Sequence, residues 1–157
     1  MTYEELLVNY EGIVKVKEDN FSKVHYLNGL SGLYKNGKIA INSNLKSDIH
    51  KKCVLAEELG HHFTTSGNIL NQDNVTNIKK EKIARNWGYE KLVSIKNILD
   101  AFNNGARNKF EMAEYLEVTE AFLEDALSHY KEKYGIMLKL DNYTVYFEPH
   151  FGVLKMF

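Results

Sequence analysis

The five residues Glu57-Glu58-Leu59-Gly60-His61 constrain this chain more than any other feature of it. On a helix, residues i and i+4 project from one face with Cβ atoms about 5–6 Å apart. Glu57 and His61 can therefore close on one metal ion. Glu58, next to the first ligand, then carries the carboxylate that takes a proton from water, which makes it the candidate general base. The string is the H-E-x-x-H zinc-hydrolase pattern with glutamate at its first position. Zinc accepts carboxylate oxygen at about 2.0–2.2 Å, so Glu57 is admissible as a ligand, although its charge changes the Lewis acidity of the ion.

For that face to be presented, the segment must be helical. Ser47 or Asp48 can cap a helix running to about Phe63. Upstream, Tyr3, Leu6, Leu7 and Tyr10 have helical spacing, and Val14 and Val16 begin an extended segment. Asn36-Gly37 between two alternating runs is type I′ hairpin chemistry, because both central residues need positive φ; strands are placed at about 31–35 and 38–42. Residues 64–77 have turn composition and read as a loop. Helices are expected over about 77–93, 94–103, 108–116 and 119–132, with Asn103-Asn104-Gly105 as a C-cap, followed by a hairpin of residues 136–140 and 143–147. No repeat, low-complexity tract or Pro/Gly-rich linker interrupts the chain. A single domain over 1–157 is expected, with a catalytic core to about 105 and a helical and hairpin extension over about 106–157.

A hydrolytic zinc site usually holds three protein ligands, so another side chain must join Glu57 and His61. The next helix offers Glu81, followed one turn later by the small Ala84, with Ile83, Ala84, Trp87 and Leu92 available to pack inward. A downstream glutamate followed by a small residue is the arrangement of gluzincin-type peptidases. Glu90 is the reserve, but it lies about 13 Å further along the axis, so both cannot serve one ion. His62 pairs at i+4 with Glu58, yet that register leaves Leu59 in the base position, and leucine cannot accept a proton. His62 is therefore read as a supporting or packing residue. Cys53, one turn before Glu57, has a thiol that zinc accepts, but a lone cysteine in an apolar helix is more often a small core residue. His50 is about 10 Å of rise from Glu57 and cannot share its ion. His25, His129 and His150 have no spacing partner and read as structural or surface residues.

The segments Gly32-Leu33-Tyr34, Ile39-Ala40-Ile41-Asn42, LAEELGHHFTT, Glu81-x-x-Ala84-Arg85-x-Trp87 and Glu111-Met112-Ala113-Glu114-Tyr115-Leu116-x-Val118-Thr119 occur in one order over about residues 25–135. This order resembles the ImmA/IrrE family of metallopeptidases, and in particular the short versions carried by phages and integrative elements. The resemblance implies a compact zincin-like α+β fold, one zinc or other divalent ion, and action on helix-turn-helix repressors that lifts repression of a mobile element. It assigns the family's second histidine ligand to His61, its catalytic glutamate to Glu58 and its downstream glutamate ligand to Glu81. Glu57 stands where the fuller motif has histidine.

Composition narrows the remaining classes. With 21 acidic and 20 basic residues the net charge is −1, which gives no general attraction for nucleic acid. Residues 108–130 have the outline of a helix-turn-helix, with Ala113, Leu116, Val118, Phe122 and Leu127 apolar, but the second helix carries Glu120, Glu124 and Asp125. DNA recognition needs basic side chains there, so packing or a protein partner is expected instead. No apolar run approaches the roughly 18 residues that span a membrane. The acidic N-terminus lacks the pattern of a secretory signal, and the lone Cys53 suits a reducing compartment. A cytoplasmic protein is expected.

The expected function is thus a metal-dependent endopeptidase acting on a repressor. In that reading the strand near 38–42 is the edge that pairs with substrate, and Tyr34 or Tyr89 assists the oxyanion. The alternative is a non-catalytic protein of the same fold that binds and sequesters the repressor.

Overall fold

The computed structural model describes residues 1–65 and 74–156. The fold is α+β, and it divides into two compact units, Met1–Gly88 and Tyr89–Phe157. The boundary between the units falls after Gly88, inside a helix.

The first unit opens with α1 (Tyr3–Tyr10), whose Thr2 cap accepts the Glu5 N–H while the Glu5 carboxylate accepts the Thr2 N–H. Reciprocal bonding of this kind satisfies two donors that a helix start otherwise leaves open. Strands β1 (Lys15–Asp19), β2 (Gly32–Lys35) and β3 (Lys38–Asn42) form one sheet in the order β1-β3-β2. The β2–β3 hairpin turns at Asn36 (φ 48°) and Gly37 (φ 75°), the positive values expected of Asn-Gly. Strand β1 pairs in parallel with β3. This pairing corrects one expectation: residues 38–42 form the central strand, and the edge beside the candidate site is β2.

Helix α2 (Asp48–Thr64) starts at Ser47, whose hydroxyl accepts the His50 N–H at 3.2 Å. It packs on the inner face of the sheet, where Ile39 and Ile41 are buried with Leu55 and Leu59. Helix α3 (Asn74–Leu92) follows. Of the loop expected over 64–77, residues 66–73 lie outside the described residues, and 74–77 already belong to α3. Trp87 of α3 stacks on Phe63 of α2, with ring centroids 5.1 Å apart, and Tyr10 of α1 meets both rings. These aromatic contacts tie α1 and α3 to α2. Ile83, expected to pack inward, is 53% exposed, because it sits about 100° around the helix from the buried Ala84.

The second unit contains the end of α3, then α4 (Ile95–Asn103), α5 (Lys109–Leu116) and α6 (Glu120–Tyr134). The Asn103-Asn104-Gly105 segment ends α4 with Gly105 at φ 103°, where a Cβ would be strained. Glu117 (φ 51°) turns the chain between α5 and α6, and the expected apolar set of Ala113, Leu116, Val118, Phe122 and Leu127 is buried. Glu120, Glu124 and Asp125 are exposed. The chain finishes with β4 (Met137–Leu140), β5 (Tyr143–Tyr146) and β6 (Gly152–Lys155) in one antiparallel sheet, so a third strand extends the expected hairpin. No helix among the described residues is long and apolar enough to cross a membrane.

Candidate active site

Helices α2 and α3 approach each other at small residues. A Cβ on Gly60 would lie 2.0 Å from the Ala84 carbonyl oxygen, and one on Gly88 would lie 3.1 Å from the Ala56 oxygen. Ala56-x-x-x-Gly60 thus faces Ala84-x-x-x-Gly88 in antiparallel sense, and the absent side chains let the two backbones come close. The crossing fixes what lies beside it. His61 follows Gly60, Glu81 lies one turn before Ala84, and His61 Nε2 stands 3.3 Å from Glu81 Oε1.

Glu57, Glu58, His61, Glu81 and Arg85 line one cavity of about 490 Å³, closed on another side by Gly32–Tyr34 of β2. The floor is formed where β2 crosses α2. A Cβ on Gly32 would lie 2.6 Å from Val54 Cγ1 and 2.8 Å from Glu58 Oε1, so glycine at this position leaves the Glu58 carboxylate its place. Burial pushes the Glu58 carboxyl up to about 8 from its ordinary 4.5, the negative charges of Glu57 and Glu81 add to the rise, and Arg85 opposes it.

The donor set can be compared with what zinc requires. Two ligands of a tetrahedral zinc ion, each about 2.0–2.1 Å from it, lie about 3.3 Å from each other. His61 and Glu81 already have that separation. Three carboxylates line the cavity against two cations, Lys80 and Arg85, and the excess of negative charge suits a divalent ion. Glu57 lies in the same wall, but among the described residues no three His, Cys, Asp or Glu side chains stand together closely enough to hold an ion. The structure therefore brings two of the three expected ligands, His61 and Glu81, within 3.3 Å of each other and places Glu57 in the wall of the same cavity.

The competing residues lie elsewhere. His62 Nδ1 is 3.1 Å from the Tyr34 hydroxyl, which also accepts the Gly37 N–H at 3.1 Å, so His62 anchors the β2–β3 turn to α2. Cys53 is buried and is not part of the cavity wall. Glu90 belongs to the second unit, where it accepts His129 Nε2 at 3.0 Å and Lys133 Nζ at 2.6 Å. Of the two tyrosines considered for the oxyanion, Tyr34 lines the cavity, with its ring stacked 6.4 Å from that of His61, while Tyr89 packs against Phe122 at 5.1 Å. Sequence reasoning missed Gly32 and Arg85 as site residues. A signal for the helix crossing was present in the matching Ala-x-x-x-Gly spacings of the two helices; Gly32 meets Glu58 only through a long-range contact.

The model of the Peptidase_M78 family, described as the IrrE N-terminal-like domain, matches residues 5–128. No curated protein and no solved structure matches the chain. The family match spans both helices of the crossing, the strand β2 that covers Glu58, α5 and the first part of α6, and on it the chain belongs to the Peptidase_M78 family of metallopeptidases.

Proposed function

We propose that the chain is a metal-dependent endopeptidase that hydrolyses a peptide bond in a helix-turn-helix repressor of a phage or other mobile element. The observation that carries this reading is the 3.3 Å approach of His61 to Glu81, with the Glu58 carboxylate in the same cavity. His61, Glu81 and Glu57 would hold zinc or another divalent ion, which would supply Lewis acidity toward water and a peptide carbonyl. Glu58 takes the proton of the attacking water and returns it to the leaving amine. The substrate backbone lies along β2, whose far edge has no strand partner among the described residues and whose Gly32, Leu33 and Tyr34 line the cavity. Arg85 faces the carboxylates from α3 and offsets part of their charge. The reaction takes place in the cytoplasm, where such a repressor is found.

The test is incubation of the purified chain with candidate helix-turn-helix repressors, read by mass spectrometry. Cleavage at one site, lost on chelation and in Glu58→Gln, supports the proposal. Binding without cleavage by a metal-free protein supports the second reading, a non-catalytic protein that sequesters the repressor. One observation favours that reading: among the described residues Glu57 does not complete a three-ligand group with His61 and Glu81.

A further inference from the structure

The outer face of the N-terminal sheet, turned away from α2, carries a feature that hydrolysis does not use. In the sheet register Lys15 lies opposite Lys38, and Lys38 opposite Lys35. Three lysines therefore form one row across three neighbouring strands. Like charges directly opposite each other destabilise a sheet. All three are exposed, and among the described residues no ion pair joins any of them to a carboxylate, whereas Lys17 nearby is paired with Asp19 at 3.0 Å. The next row on the same face is Lys17, Ala40 and Leu33. Ala40 is small and Leu33 is 41% exposed, and together with the lysines they bound a shallow hollow of about 300 Å³.

We propose that this face docks an acidic amphipathic helix of a partner protein, with carboxylates on the lysine row and an apolar side chain in the hollow over Ala40 and Leu33. The spacing is complementary. Side chains one helical turn apart repeat about every 5.4 Å, and neighbouring strands lie about 4.7–4.9 Å apart, so a helix laid across the strands meets one lysine per turn. The charge is complementary as well, and the apolar floor favours a protein segment over a nucleic acid, since among the described residues the face has no aromatic ring on which a base can stack. Leu33 also lines the cavity of the candidate site, so the docking face adjoins that cleft across β2. The proposal does not depend on the chain being an active peptidase.

It is tested on the full chain with a labelled synthetic helical peptide carrying glutamates one turn apart and leucines between them on one face, its binding followed by fluorescence anisotropy at low and high salt. Saturable binding is expected, weakened by salt, weakened at least about tenfold in Lys15→Glu/Lys38→Glu, and unchanged in Lys139→Glu on the second unit. Lys38→Thr is expected to weaken binding while raising the melting temperature, because it removes the central like charge and keeps β propensity. Peptide affinity that is unaffected by the lysine substitutions overturns the proposal. So does tighter binding of a single-stranded oligonucleotide or of anionic vesicles than of the peptide, or a Lys38→Thr variant with a lower melting temperature, which would make the row a structural feature.

Discussion

His61 Nε2 lies 3.3 Å from Glu81 Oε1 because the backbones that carry them meet at Gly60 and Ala84. The proposed ligand pair is therefore only as well placed as the helix crossing. Gly60→Ala puts a methyl group 2.0 Å from a carbonyl oxygen that cannot rotate away, whereas Gly88→Ala meets its neighbour at 3.1 Å. Both substitutions raise helix propensity by about 1 kcal/mol. Gly60→Ala is nonetheless expected to destabilise the fold by at least about 1–3 kcal/mol, and Gly88→Ala by clearly less. Denaturant melts of the two variants check the order.

Gly32→Ala intrudes on Glu58 Oε1 and Val54 Cγ1 from the β2 side. It is expected to lower kcat by displacing the proposed general base while leaving metal content unchanged. Glu58→Gln should abolish hydrolysis with metal content also unchanged, since the amide keeps the shape but cannot accept the proton. Metal analysis beside the rate assay checks both. A parallel loss of metal in Glu58→Gln would make Glu58 a ligand.

Glu57→His restores the fuller motif on the same i, i+4 face and is expected to tighten zinc binding without unfolding α2. Competition titration with a chromogenic chelator reads the change. Unchanged or weaker affinity would show that Glu57 does not ligate the ion or that its charge is needed there.

The second unit has its own pH dependence. Burial pushes the Glu90 carboxyl up, but the bonds from Lys133 and His129 outweigh it and hold the group below its ordinary 4.5. A carboxylate with a lowered folded value contributes stability above its unfolded value and loses it as pH falls through the folded one. Glu90→Gln is therefore expected to lower the melting temperature at neutral pH, with the difference from the parent vanishing in acid below the ordinary carboxylate range. Metal content should be unchanged. Melting curves between pH 2 and pH 7 test the sign, in the range set by carboxylate titration.

Much of this architecture is legible locally. Asn36-Gly37 specifies its turn, Ser47 caps the helix it precedes, and Gly105 ends α4. What is hidden depends on partners distant in sequence. The run 38–42 is central only because residues 15–19 pair with it in parallel, and alternation within a strand does not tell an edge from a centre. Strand β6 was missed because Gly152–Lys155 is short and follows Pro149, so its period carries little signal. In the site, the helical i, i+4 rule places Glu57 and His61 on one face, and the small Ala84 points to Glu81. The role of Gly32 follows only from β2 crossing α2 at Val54 and Glu58.

The central claim is that His61, Glu81 and Glu57 hold an ion beside Glu58. Elemental analysis of the chain purified without added metal, compared with Glu81→Ala and Glu90→Ala, tests it most directly. About one equivalent of zinc or another divalent metal is expected in the parent and in Glu90→Ala, with affinity lowered at least about tenfold in Glu81→Ala, because a three-ligand site reduced to two loses a bond and a charge. No stoichiometric metal in the parent, or equal retention in both variants, would contradict the account.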